Sequence, residues 1–131
     1  MIITITDIRQ AGHCTRGAKN WFAEHELDFR DFLKNGIDAE TFLATGCGMA
    51  RQVVERKIAR DLIGVDLTGI VITARDAQAA GKCVDGSRNF AGVQNFDYRD
   101  FVQNGIPAQV LWDTGDFEAR MVVRHKVAAN G

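Results

Sequence analysis

Residues 28–40 read DFRDFLKNGIDAE, and residues 97–109 read DYRDFVQNGIPAQ. The second phrase follows the first by 69 residues, and the match extends both ways at that spacing without a gap. Ile3-Thr4 meets Ile72-Thr73, Ala11-Gly12 meets Ala80-Gly81, and Cys14 meets Cys83. Further on, Thr45-Gly46 meets Thr114-Gly115, and Val53-Val54 meets Val122-Val123. Between residues 3–60 and 72–129, 24 of 58 aligned positions are identical. Chance composition gives about one match in seventeen. A 131-residue chain that states one pattern twice is constrained to fold as two homologous modules. Units of this size bury proportionally little surface alone. We therefore expect residues 1–61 and 62–131 to share one core about an approximate twofold axis.

Each copy reads as a string of short helices, about four per module. Thr6 or Asp7 can cap a brief helix that stops at Gly12. From Thr15, the residues Ala18, Trp21, Phe22 and His25 recur at helical spacing. In the repeated phrase, Asp28 suits an N-cap and Asp31 adds negative charge to the first turn. Phe29, Phe32 and Leu33 supply an apolar face. Asn35-Gly36 ends the helix, and a Schellman stop would fold Ile37 back onto Phe32. The second copy keeps Asp97, Tyr98, Phe101, Asn104, Gly105 and Ile106, with Pro107 where the next helix begins. That helix carries Phe42-Leu43 or Leu111-Trp112. A last helix spans about Gly48 to Leu62, with Ala50, Val54, Ile58 and Leu62 on one face. The β-branched stretches IITIT and IVIT suit short strands, and duplication would let them pair with each other. The fold class is mainly α, with at most this two-stranded β pairing.

Little in the sequence points to catalysis. The net charge is −1, divided as +1 for residues 1–60 and −2 for residues 61–131, so neither half carries the basic excess of a nucleic-acid binder. No apolar run is long enough to span a membrane, and the first residues lack a secretion signal, so a cytosolic product is expected. The three cysteines, Cys14, Cys47 and Cys83, form no CxxC pair and no disulfide framework. His13, Cys14 and His25 lack the spacing of a zinc site, and the second copy has Lys82 and Gln94 in place of the histidines. We expect no metal and no cofactor. Cys14 and Cys83 are equivalent and lie beside His13 and Lys82, which gives each a claim as a nucleophile. Packing at a helix junction is the stronger reading for both. Asp28 with Asp31, and Asp97 with Asp100, read as caps rather than as an acid–base pair. No phosphate loop, GxSxG or HExxH is present.

What remains is recognition. Arg51, Gln52 and Arg56 would lie on the second helix of a helix-turn-helix-like unit, which makes DNA binding an alternative. The second copy offers Arg120, Met121, Arg124 and His125 there, a different surface. Asn20/Asn89, Arg30/Arg99, Arg51/Arg120 and Lys57/Lys126 are identical and expected to be exposed. They either tie helices together or present one face twice. A partner surface would draw on Arg30, Arg51, Arg56, Arg99, Arg120 and Arg124. The partner would be a protein, with homo-oligomerisation open.

The stretch HCTRGAKNWFAEHELDFRDFLKNGIDAETFLATG resembles small uncharacterised proteins of bacteriophages and prophages. The matching residues are Cys14, Gly17, Trp21, Phe22, Asp28, Phe32, Gly36, Ile37 and Gly46, and the likeness covers residues 3–60 and, more faintly, 72–128. It implies a phage protein in the host cytoplasm or the virion: a structural or assembly component, or an accessory protein that inhibits a host defence protein. It implies no catalytic activity. Cys47-Gly48, where the second copy has Asp116-Phe117, departs from the repeat.

Overall fold

The computed structural model describes residues 1–130. The chain divides into two compact units, Met1–Arg60 and Asp61–Gly131. In the first module the order is β1 (Ile2–Ile3), α1 (Ile5–Gln10), α2 (Thr15–Glu24), α3 (Phe29–Asn35), β2 (Ile37–Asp38), α4 (Ala39–Leu43) and α5 (Gly48–Asp61). The second module repeats it 69 residues on: β3 (Val71–Ile72), α6 (Ala74–Ala79), α7 (Val84–Val93), α8 (Tyr98–Asn104), β4 (Ile106–Pro107), α9 (Ala108–Asp113) and α10 (Phe117–Asn130). The fold is mainly helical, with five helices per module against the expected count of about four.

The opening helix starts earlier than expected. Thr4, not Thr6 or Asp7, is the N-cap, and Asp7 sits three positions inside. The Asp7 carboxylate accepts from the Thr4 backbone N–H at 2.8 Å and from its hydroxyl at 3.1 Å. Thr73 and Asp76 repeat the arrangement, and the Thr73 hydroxyl also accepts the Asp76 N–H at 3.2 Å. This reciprocal capping shortens the β-branched run to a two-residue strand in each module.

The strands pair within modules, not with each other as expected. β1 is antiparallel to β2 with Ile2 opposite Asp38 and Ile3 opposite Ile37. β3 is antiparallel to β4 with Val71 opposite Pro107 and Ile72 opposite Ile106. The cause is the glycine that ends α3 or α8. The Gly36 N–H closes the helix on the Phe32 carbonyl, 2.8 Å away. Its φ of 74° and ψ of −173° then turn the chain directly into an extended strand. Only glycine occupies that region without strain. The expected Schellman stop is therefore absent here, and Ile37 joins the strand. Schellman bonds occur instead at the end of α2, where Leu27 N–H reaches the Phe22 carbonyl at 2.8 Å and Glu26 takes a φ of 55°. Phe96 and Asn95 repeat them after α7.

The repeated phrase is accounted for residue by residue. The Asp28 side chain caps α3 by accepting the Asp31 N–H at 3.0 Å, and the Asn35 amide donates back to Asp31 at 2.8 Å. Asp97, Asp100 and Asn104 do the same in α8. Phe32 is buried, whereas Leu33 of the expected apolar face is half exposed.

Each module's last helix is tied to its first. Lys57 and Arg60 of α5 both reach the buried Asp7 carboxylate. Lys126 of α10 reaches Asp76 at 3.0 Å. Lys57 and Lys126 are thus half-buried ties, not exposed partner groups. Burial works to raise the Asp76 pKa from 3.8, but the Thr73 N–H, Lys126 and the Thr73 hydroxyl outweigh it, and the net direction is down. A depressed carboxylate contributes stability that is present above its unfolded value and lost as pH falls through its folded one. Asp76→Asn should therefore be less stable than wild type near neutrality. The difference should shrink below pH 3.8, as read by thermal melts across about pH 6 to pH 2.

Candidate functional site

The two modules share a plan but fill their interiors with different side chains. In the first, Phe22 is the hub of an aromatic cluster and is 1% exposed. Its ring lies 4.4 Å from Phe32, 5.2 Å from Trp21, 5.6 Å from Phe29 and 6.4 Å from Phe42, centroid to centroid. Trp21 also packs edge-on against Phe42 at 5.0 Å and against the His25 ring at 4.2 Å. Ile8 and Phe42 close the cluster with no exposed surface.

In the second module the same helices carry smaller residues at those places. Ala91 stands for Phe22, Ala77 for Ile8, Leu111 for Phe42 and Phe90 for Trp21. Phe96 in place of Leu27, Trp112 in place of Leu43 and Phe117 in place of Gly48 go the other way. The backbone plan is held by the same caps, glycines and ion-pair tie, so the module does not collapse to fill the difference. A cavity of about 460 Å³ remains. Its floor is hydrocarbon from Ile72, Ala77, Ala91, Leu111, Ala119 and Val122, all buried. Phe90, Phe96 and Phe101 form a wall and are only half buried. Protein interiors are close-packed and seldom leave voids much larger than a water molecule. An apolar cavity of about 150 Å³ is already enough to stay dry and admit benzene. Ligand pockets run from about 300 to 1,000 Å³.

The mouth is polar. Gly81, Cys83, Gly86 and Glu118 are exposed there, with Lys82, Ser87 and Asp116 half buried beside them. An ion pair between Lys82, ahead of α7, and Glu118, in the first turn of α10, crosses it. Asp116 accepts the Ala119 N–H at 2.9 Å and so caps α10.

Cys83 lines the mouth, and its geometry explains the cysteine repeat. Its Sγ accepts the Gly86 N–H at 3.2 Å as the N-cap of α7. Cys14 caps α2 through the Gly17 N–H at 3.3 Å. A Cβ added at either glycine would lie 3.3 Å from the sulfur, which is why cysteine and glycine recur together. Cys47, half buried, accepts the Trp21 indole N–H at 3.3 Å. That bond, helped by the Met49 N–H, lowers its thiol pKa against the opposing effect of burial. Cys47 occupies the position of the Asp116 cap.

The six arginines are engaged differently within their own modules. Arg30, Arg56 and Arg99 are exposed, and Arg51 is exposed and paired with Glu55 at 3.0 Å. Arg120 is half buried, with its guanidinium 4.4 Å above the Trp112 ring and its Nε donating to the Trp112 carbonyl at 3.1 Å. Arg124 is half buried and paired with Asp61 at 3.3 Å. His13 Nε2 lies 3.0 Å from the Gln52 side-chain oxygen. Among the described residues, no three His, Cys, Asp or Glu side chains converge as a metal cluster would, and no helix is long and apolar enough to cross a membrane.

Sequence reasoning from shared letters missed the cavity because the residues that open it, Ala77, Phe90, Ala91 and Leu111, are letters that differ. The signal was present in the aligned copies: four core positions all shrink in the same module. Scans against protein-family models, curated proteins and solved structures find no match to this chain.

Proposed function

We propose that this chain is a non-catalytic binding protein in which the second module receives an apolar group of its partner and the first module is its closed structural counterpart. The observation that carries this reading is the cavity of about 460 Å³ at Ala91, where the first module is filled by Phe22. The floor of the cavity is hydrocarbon and offers a guest no acid, base or nucleophile. At its rim, the Cys83 sulfur caps a helix and Lys82 is engaged by Glu118. A deep apolar pocket with a polar rim is the setting in which one anchoring group supplies most of an interface's affinity. The partner is a protein. In the phage setting that the sequence resemblance implies, it is a virion component, or a host defence protein that the chain inhibits.

Filling the cavity tests this directly. Ala91→Phe places a ring where the homologous module already accommodates one, so the variant should fold with an unchanged or raised melting temperature. It should bind the partner at least about tenfold more weakly, because losing a buried anchor costs that much or more. Side-by-side capture with wild type, Ala91→Phe and a surface variant such as Lys34→Ala reads this out by quantitative mass spectrometry. A folded Ala91→Phe protein that retains every wild-type partner at full strength contradicts the reading. Mass spectrometry of purified particles separates a virion component from a host-directed protein.

A further inference from the structure

We propose that the guest of the second module's cavity is an aromatic ring, neutral where it enters, of one or two fused rings. This rests on the reading of the cavity as a receptor and concerns what it receives.

The first module supplies the mould. Around the Phe22 ring stand Phe32, tilted at 31°, and Trp21 and Phe29, edge-on at 70° and 68°. Two of these neighbours remain aromatic at the cavity wall as Phe101 and Phe90, and Phe96 adds a ring there that the first module lacks; Tyr98, in place of Phe29, does not line the cavity. The ring they would surround is missing, because Ala91 is there. What is left is a shell of aromatic side chains without its centre. Phe101 and Phe90 are half buried, whereas their counterparts Phe32 and Trp21 are 2% and 9% exposed. Aromatic rings favour tilted and edge-on partners because a positive ring edge meets a negative face, which a saturated guest of the same size does not offer.

The rim sets the charge. Its carboxylates are already engaged, Asp116 by the Ala119 N–H and Glu118 by Lys82. A charged guest would have to displace those partners or enter hydrocarbon unpaired, which is costly. A neutral ring with a polar edge left at the mouth avoids both. In the reading on which this rests, such a ring is carried by a side chain of the protein partner.

The test titrates full-length protein with toluene and with methylcyclohexane, its saturated counterpart, followed by NMR shifts of Ala91 and Val122 methyl groups. Toluene should bind about 2- to 10-fold more tightly than methylcyclohexane, the range that aromatic pairing adds beyond area. Binding should vanish in Ala91→Phe and again in Leu111→Phe, which restores the ring of Phe42 and guards against misfolding of the first variant. Equal or tighter binding of methylcyclohexane overturns the aromatic assignment and leaves the receptor reading standing. If neither compound perturbs the cavity methyls, both fall. Indole and N-acetyltryptophanamide then separate the sources. Indole binding without binding of N-acetyltryptophanamide overturns a side chain as the source of the ring. Comparable binding of both supports the assignment with a side chain as guest. Failure of indole to bind, where methylcyclohexane does, overturns it.

Discussion

Gly36→Ala is expected to destabilise the first module by about 3–5 kcal/mol, lowering its melting temperature by more than about 10 °C. Two effects add. The backbone at Gly36 has φ 74° and ψ −173°, a region that costs any residue with a Cβ about 1–3 kcal/mol. The new Cβ would also lie 2.5 Å from Ile2 Cγ2 and 2.9 Å from the Ile3 carbonyl oxygen. The first contact is with a side chain that can move. The second is with the backbone of the paired strand, so relief requires separating β1 from β2. Gly105→Ala should behave alike in the second module, where the Cβ would lie 2.5 Å from Val71 Cγ1 and 2.9 Å from the Ile72 carbonyl oxygen. Gly48→Ala is the control. It opens α5, has nothing within 4 Å of the added Cβ, and should be neutral or stabilising by up to about 1 kcal/mol. Thermal or denaturant unfolding of the three variants decides. A Gly36→Ala protein as stable as Gly48→Ala would mean that the helix does not turn into the strand as described.

Phe22→Ala should cost the first module about 3–5 kcal/mol, the range for a large aromatic side chain removed from a packed core. The estimate belongs at the upper end because Phe22 touches four other rings and is 1% exposed. The variant copies the residue that the second module carries naturally at Ala91, yet the outcome should differ. The second module has altered Ile8, Trp21 and Phe42 positions together and gained Phe96, so its walls are adapted to the space. The first module has no such adjustment, and its rings would face an unlined void. Measured unfolding free energies should show Phe22→Ala strongly destabilised and Ala91→Phe unchanged or improved. Similar losses in both would show that the second module is packed as tightly as the first.

The sequence made most of the scaffold legible because the duplication marks positions under geometric constraint. Asp28 recurs as the cap and Gly36 as the end of one helix, and spacing alone indicates these roles, but not the Asn35 bond to Asp31 or the exit of Gly36 into a strand. The tie between Lys57 and Asp7 could not be read, because it joins residues 50 apart whose proximity depends on how five helices pack. Strand pairing was misread for a related reason. Two equivalent β-branched runs invite pairing with each other, but the exit angle of Gly36 delivers a partner strand from within the same module. The cavity lay beyond a reading of identities. It is the sum of several side-chain differences and becomes a space only when Ala77, Ala91 and Leu111 converge on one point.

The bond between each module's opening helix and its closing helix has a consequence for how such a chain can arise. Where the start and finish of a folding unit lie side by side, a second unit can be joined on through a short connector without pulling either apart. Residues 62–70 are such a connector, and Leu62 and Leu67 within it are already buried in the second module's core. Fusion of two copies would then need no redesign of either. One copy could keep its shape while the other was free to lose bulk from its interior.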